Sequence, residues 1–140
     1  MSIKSIKEYN GNITPIFSLL QHLTNAPEID NITFKNIINQ LNITHDILLY
    51  IKDEKPVGMI TYFIEQKLIH EGKCVAHIED LVVDKENRNS GIAKILLDYV
   101  KIIAKDNNCY KIILDCTREL IPFYEKSEFK EHEIQMSLYF

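Results

Sequence analysis

The stretch from Val75 to Ile103 constrains the fold more than any other part of the chain. An apolar run closes on Ile78-Glu79-Asp80-Leu81-Val82-Val83. The polar segment Asp84-Lys85-Glu86-Asn87-Arg88-Asn89-Ser90-Gly91 follows, and a helical pattern opens at Ile92. Ile92, Ile95, Leu96, Tyr99, Ile102 and Ile103 recur at the 3, 4, 7 spacing of one helix face. A strand, a polar loop and a long amphipathic helix in that order predict a crossover that lays the helix back on its own sheet. The amides that open such a helix have no intrahelical acceptor, and the helix dipole makes them a place for an anion. Gly91 and Ala93 let an anion approach the backbone closely, while Arg88 and Ser90 add side-chain donors. The segment has neither the Gly-Lys-Ser/Thr of a Walker loop nor G-x-G-x-x-G. Taken alone, it suits an ordinary polar loop as well as a diphosphate site.

The remaining elements are placed by local signals. Thr14-Pro15 predicts a helix start with Thr14 as N-cap, followed by Ile16, Leu19, Leu20 and Leu23 at helical spacing. A second helix is expected from about Thr33, burying Phe34, Ile37, Ile38 and Leu41. The turn Asp53-Glu54-Lys55-Pro56 between Ile47–Lys52 and Val57–Ile64 predicts a hairpin. A strand from Val75 to Val83 precedes the crossover helix, which Asp106-Asn107-Asn108 should end. Lys111–Cys116 carries the apolar core of a buried strand, Ile112-Ile113-Leu114. Pro122 suits the start of a short helix through Phe123, Tyr124, Glu125 and Lys126. The alternation of Ile134, Met136, Leu138 and Phe140 predicts a last strand. The order implies an α/β chain with a mixed sheet.

At 140 residues the chain is expected to form one domain, with no linker or repeat. A net charge of -4 argues against a general nucleic-acid binder, and it leaves anionic ligands to local donors. No apolar run reaches membrane-span length, and the first residues lack a secretory pattern, so a cytoplasmic protein is expected. Cys74, Cys109 and Cys116 show no metal-ligand spacing; they suit reduced thiols, and no metal is expected.

Arg88-Asn89-Ser90-Gly91-Ile92-Ala93 between strand and helix resembles the coenzyme signature of the GCN5-related N-acetyltransferases (GNAT). Four blocks resemble its glucosamine 6-phosphate N-acetyltransferase branch, in order and at matching spacing. They are Lys67-Leu68-Ile69-His70-Glu71, His77-Ile78-Glu79-Asp80-Leu81-Val82-Val83, Asn108 through Cys116, and Phe123-Tyr124-Glu125-Lys126. The likeness is strong over Tyr62–Met136 and weak before it. It implies the GNAT acyl-CoA N-acyltransferase fold, with a mostly antiparallel central sheet flanked by helices. It also implies acetyl transfer from acetyl-CoA to the 2-amino group of D-glucosamine 6-phosphate, a step toward UDP-GlcNAc, in a homodimer whose last strands interlock.

The resemblance also assigns roles. The backbone of Leu81, Val82 and Val83 takes the pantetheine arm and the thioester carbonyl, and Leu81 also borders the sugar. Arg88, Asn89, Ser90, Gly91, Ile92, Ala93 and Lys94 hold the diphosphate, and Glu125 and Lys126 join Tyr124 in contacting the coenzyme. Tyr124 is the general acid to the leaving thiolate, being protonated at neutral pH with an ordinary pKa of ~10; packing of a short helix is its plainer explanation. Glu79 and Asp80 meet the sugar, which on a regular strand requires a bulge, because successive side chains face opposite ways. Asp115 contacts the substrate amine. Lys67, Leu68, Ile69, His70, Tyr110 and Lys111 make further substrate contacts, with Lys67, His70 and Lys111 able to neutralise phosphate. Thr24 matches a substrate residue but equally suits a helix C-terminus.

Two departures stand out. Leu120 replaces an Asn that usually donates to the coenzyme, a bond worth about 0.5–1.5 kcal/mol. The chain ends Leu138-Tyr139-Phe140, with Tyr139 where some members place a phosphate-binding Arg; Arg118 or Lys111 are possible substitutes. An acetyltransferase for another small amine or a protein amine, and a non-catalytic acyl-CoA-binding module, are the alternatives. The intact Glu79, Asp80, Asp115 and Tyr124 set weighs against the last.

Overall fold

Two residues of left-handed backbone, Asp53 (φ 50°) and Glu54 (φ 63°), reverse the chain between the first long strands in the computed structural model, which describes residues 2–140. The hairpin joins β2 (His45–Lys52) to β3 (Lys55–Gln66), so its turn is two residues rather than four, and Lys55-Pro56 already belong to the strand. Consecutive φ > 0 residues match the right-handed twist of the strands they connect. A short β1 (Ser2–Ser5), not foreseen from the sequence, pairs with the outer edge of β2. β4 (Cys74–Val83) lies antiparallel to β3. α3 (Ile92–Asp106) then crosses over to β5 (Cys109–Ile113), which runs parallel to β4. The sheet order is β1-β2-β3-β4-β5.

The sheet separates two apolar clusters. Leu49 of β2, Met59 of β3 and Val82 of β4 meet Ile16 and Leu19 of α1 (Thr14–Leu20) on one face. On the other, Leu48, Tyr50, Ile60, Tyr62, Ile78 and Val83 meet Ile92, Leu96, Leu97 and Val100 of α3, and Tyr124 of α4 (Ile121–Glu125). Ile78 and Val82 have the same parity yet face opposite ways, so the alternation of β4 changes between them. The register gives the reason: Met59 opposes Val82 and Thr61 opposes Glu79, so Ile60 alone stands opposite Asp80 and Leu81. This is a β-bulge, and Asp80 takes a left-handed φ of 47° within it.

Gly58 of β3 lets the start of α3 rest on the sheet. A Cβ there would lie 2.8 Å from Ile92 Cγ2. A side chain at that position would push the helix start, and the loop before it, off β4.

Several expectations need correction. Thr14 is not the N-cap of α1: Ile13 holds that position, and Asn12 Oδ1 accepts from the Thr14 amide at 3.0 Å. α2 (Asn31–Asn39) starts earlier than Thr33 because Asp30 caps it, accepting from Thr33 N at 2.8 Å. Its apolar face is only half-covered: Phe34 meets Phe17 edge-on at 6.3 Å, while Ile37 is exposed. α3 turns inward only part of the stripe that the spacing suggested, with Ile92 and Leu96 buried and Ile103 packed against the core. Ile92, Leu96, Leu97, Val100 and Ala104 are buried, whereas Ile95, Tyr99 and Ile102 face out, because two 3, 4, 7 series coexist in this helix and the sheet selects one. β5 begins and ends earlier than expected. It is also not doubly buried, since it pairs only with β4 and exposes Ile113. The tail forms no strand: Ile134, Met136, Leu138, Tyr139 and Phe140 are exposed, and among the described residues no strand pairs with them. Among the described residues no helix is long and apolar enough to cross a membrane.

The inward stripe of α3 gives a direct test. Leu97→Ala, at a fully buried position, should cost about 2–5 kcal/mol of unfolding free energy. Ile102→Ala, 59% exposed, should stay within about 0.5 kcal/mol. Denaturant unfolding of the two variants checks both; equal losses would mean that the helix is rotated from this description.

Candidate active site

β4 and β5 share a ladder only from Cys74–Cys109 to His77–Ile113. β4 then runs on to Val83 paired with β3 alone, so from Ile78 onward its β5-side edge carries backbone groups with no strand partner. Leu81, Val82 and Val83, the residues assigned to the pantetheine arm, lie on this stretch. A second polypeptide-like arm can lie along such an edge and take its amides and carbonyls.

The connection to α3 continues that edge. Asp84 N–H donates to Val57 O at 2.8 Å, anchoring the loop to β3. Arg88 Nε donates to Val83 O at 3.2 Å, folding the loop back on its own strand. Asn89 (φ 62°) and Gly91 (φ 85°) are both left-handed, and Gly91 occupies the N-cap with no side-chain hydrogen bond closing the helix. The space a Cβ would take at Gly91 is open. Among the described residues, no side chain of the cap competes for the first amides of α3, those of Ile92, Ala93 and Lys94. The Ser90 hydroxyl donates to Asn87 O, so it closes the turn rather than standing free as a donor, which corrects that part of the expectation. Lys94 Nζ binds Asp98 at 2.6 Å, one helical turn on, leaving its amide as its contribution to the helix end.

The bulge decides the next group. Glu79 and Asp80 are consecutive and both exposed, which a regular strand would not give on a half-buried sheet. Asp115 stands just past β5, where that strand has left β4. Burial raises the Glu79 pKa above the ordinary carboxylate range, and the Asp115 and Asp80 charges add to it, with His77 opposing. The charges of Asp80 and Asp115 are thus both felt at Glu79, which places the three acids in one neighbourhood. Cys116 follows Asp115, and its thiol is raised by burial and by Glu131 and Asp115. Tyr124 is 9% exposed, packed edge-on against Phe123 (4.9 Å) and Phe129 (6.0 Å). Burial, helped by Cys116, holds its phenol above the usual range, so it keeps its proton at neutral pH. The packing role read from the sequence therefore holds, and Cys116, the neighbour of Asp115, is the titratable group that Tyr124 feels. Glu125 and Lys126 are exposed at the end of the same short helix.

A second group forms where β3 turns into β4. His70, Glu71 and Gly72 are consecutive left-handed residues (φ 50°, 60° and 74°), which throw Leu68 and Ile69 outward. The His70 ring stacks on Tyr110 at 4.0 Å, and Lys111 Nζ lies 5.7 Å from the Tyr110 ring centroid. Lys67 Nζ is 3.0 Å from Glu65, and Glu65 is 2.9 Å from His77 Nε2. Glu65 is held below the usual carboxylate range by hydrogen bonds from His77 and Lys67.

Residues without a sequence signal shape this loop. Gln66 donates to Gly72 O at 2.6 Å and to Lys67 O at 2.9 Å, closing it from inside. Glu65 links the loop's Lys67 to the strand that carries Glu79. A diagonal contact between Glu65 and His77 follows from the Phe63–His77 register, but register is not written in the sequence. Thr24 joins neither group: its amide donates to Leu20 O at 3.1 Å, as a helix end does. Its neighbour His22 lies 3.8 Å from Asp84, so the end of α1 borders the loop before α3. Among the described residues, no cluster of three or more His, Cys, Asp or Glu is placed to hold a metal.

The raised Glu79 pKa sets a pH dependence of stability. Folding disfavours the Glu79 carboxylate, so its favourable contribution is full below the ordinary value of 4.5 and is lost as pH rises through the higher folded value. Glu79→Gln should therefore raise unfolding free energy at pH 7, with the gain shrinking toward zero below pH 4.5. Urea unfolding at several pH values measures this; a gain independent of pH would contradict it.

Known proteins resemble this chain in sequence and in shape. The family model described as "Acetyltransferase (GNAT) family" matches residues 17–129. A glucosamine 6-phosphate N-acetyltransferase of Trypanosoma brucei brucei is 37% identical over 131 residues, spanning 91% of this chain and 89% of that protein. Glucosamine 6-phosphate N-acetyltransferase 1 of Dictyostelium discoideum is 35% identical over 126 residues, 86% of this chain and 79% of its own. The crystal structure of a Trypanosoma brucei acetyltransferase superposes with a TM-score of 0.91 at 31% identity, covering 99% of both chains. That of the Arabidopsis thaliana glucosamine-6-phosphate N-acetyltransferase superposes with a TM-score of 0.87 at 28% identity, covering 100% of this chain and 99% of that one. With the parted strands, the uncapped helix start and the bulge in one chain, and a family match across most of its length, this protein belongs to the GNAT acetyltransferase family.

Proposed function

We propose that this chain transfers the acetyl group of acetyl-CoA to the 2-amino group of D-glucosamine 6-phosphate, by direct attack with both substrates bound. The observation that carries the proposal is the pairing of a strand edge left free by β5 with the uncapped first turn of α3, at the two ends of one loop and beside the acids of the bulge. Its residues fit a coenzyme with a diphosphate and an amide-bearing arm. The amides of Gly91 to Lys94 suit the diphosphate, and the edge of Leu81 to Val83 suits the arm. The bound coenzyme supplies the activated acyl group, and the chain supplies everything else.

An amide of the Leu81–Val83 edge aimed at the thioester oxygen stabilises the charge that develops there, an effect of about 2.7–4 kcal/mol in acyl transfer. Asp115, with Glu79 and Asp80, orients the amine and draws it to the carbonyl; positioning of this kind is worth up to about 7–11 kcal/mol. A sugar amine is appreciably neutral slightly above pH 7, so the acids need only hold that form and accept the proton it sheds after attack. Tyr124 donates its phenolic proton to the leaving sulfur. At the far end, the His70–Tyr110–Lys111 group and Lys67 face the phosphate, taking the place of the C-terminal Arg that Tyr139 replaces.

The names of the Trypanosoma and Dictyostelium relatives support this choice of amine over a peptide or polyamine. The exposed apolar side chains of Ile134, Met136 and Leu138 support a homodimer joined at the tails, since an uncovered apolar patch otherwise invites aggregation. A cytoplasmic site, and a product destined for UDP-GlcNAc, complete the proposal.

A thiol-release assay with acetyl-CoA and a panel of amines tests it. Glucosamine 6-phosphate should be turned over far better than glucosamine, and turnover of peptides or polyamines alone would overturn it. Tyr124→Phe should lower kcat by about 10²–10⁴-fold while acetyl-CoA affinity, read by calorimetry, changes much less. An unchanged kcat would remove Tyr124 from the proton transfer.

A further inference from the structure

Asp115 has one hydrogen-bond partner of an unexpected kind: Gln135, from the C-terminal tail, whose Nε2 donates to Asp115 Oδ2 at 3.0 Å. We infer that Gln135 is a positioning residue for Asp115 and, through it, for the acceptor amine. The inference rests on the reading that Asp115 meets that amine.

Position creates the need. Asp115 lies two residues past the last paired residue of β5, beyond the ladder with β4, and it is solvent-exposed. A carboxylate on such a segment has free rotation about its side-chain bonds unless something fixes it, and a reacting group must be held in one orientation to act. The ionised carboxylate accepts through both oxygens. Gln135 occupies one and leaves Oδ1 for the incoming amine.

The chemistry of the partner matters as much as its reach. Asp115 already shares its surroundings with Glu79 and Asp80, and its charge is felt at Glu79. A lysine at position 135 would neutralise the carboxylate that has to attract an amine. A glutamate would add a fourth acid to the group. A primary amide donates a hydrogen bond without changing the charge, so it fixes Asp115 while preserving its pull on the substrate. The contact also gives the tail a function at its middle, while Met136 to Phe140 continue past it, exposed.

The test has two arms on the intact chain. In the first, the Gln135 side-chain amide resonances are followed by ¹H–¹⁵N NMR in the native chain and in Asp115→Asn. A shift of that pair is expected, and unchanged resonances would overturn the contact. In the second, Gln135→Leu is assayed with the amine that the native chain turns over best. A fall of about five- to tenfold in kcat/KM for the amine is expected, with the KM for acetyl-CoA unchanged and no further loss when the change is added to Asp115→Asn. Gln135→Asn, with a shorter amide, should lose less than Gln135→Leu. A loss of equal size in the Asp115→Asn background, or an unchanged kcat/KM, would overturn the positioning role. Which amine the native chain prefers judges the substrate reading separately, since both arms run on whichever amine that is.

Discussion

The separation of β4 from β5 is the constraint on which the rest depends. Two parallel strands that stayed paired to their ends would satisfy each other's backbone and leave no edge. Here the ladder stops at His77–Ile113, and β4 continues for six more residues with one side unpartnered. A crossover helix begins at the other end of the loop that follows this edge, so the free edge and the uncapped helix start flank one connection whose own amides at Asp84, Asn87 and Arg88 are satisfied. Packing fixes its position: Ile92 rests on Gly58, and Leu96, Leu97 and Val100 anchor α3 to the sheet.

The bulge at Asp80 and Leu81 does two jobs at once. It puts Glu79 and Asp80 side by side in solvent near Asp115, and it reverses the parity of β4, so that Val82 and Val83 still reach the two apolar clusters. Without it, either an acid would turn into the core or the apolar end of β4 would turn out. Partial desolvation, with the Asp115 and Asp80 charges adding to it, makes the Glu79 carboxylate unfavourable at neutral pH, as its raised pKa records. Such local cost is common where chemistry is done.

Much of this was legible in the sequence, for physical reasons that can be named. The strand-loop-helix unit announces itself because an apolar run, a polar loop with Gly91 and a helical period each have a strong local cause. The family resemblance, not periodicity, pointed to Glu79, Asp80 and Asp115 and to His70, Tyr110 and Lys111 as substrate residues; the stacking of the His70 ring on Tyr110 had no sequence signal. What was missed depends on register and long-range packing. Leu97 and Val100 face the core, and Ile95 and Tyr99 do not, because the helix has two apolar stripes and only the sheet chooses between them. Asp30 caps α2 through a side-chain bond that the apolar pattern alone did not reveal. Glu65, Gln66 and Gln135 are ordinary polar residues whose importance comes from what stands opposite them in space. The tail's alternation was read correctly as apolar against polar, but a strand requires a partner, and among the described residues no strand pairs with it.

The amides opening α3 are the proposed seat of the coenzyme's diphosphate. Backbone ¹H–¹⁵N resonances followed through a titration with acetyl-CoA test it most directly. At saturation the largest shifts should fall on Gly91, Ile92, Ala93 and Lys94, with a second set on Leu81 to Val83. If the resonances of those seven amides stayed in place while binding was complete by calorimetry, the coenzyme would lie elsewhere and the proposed site would be overturned.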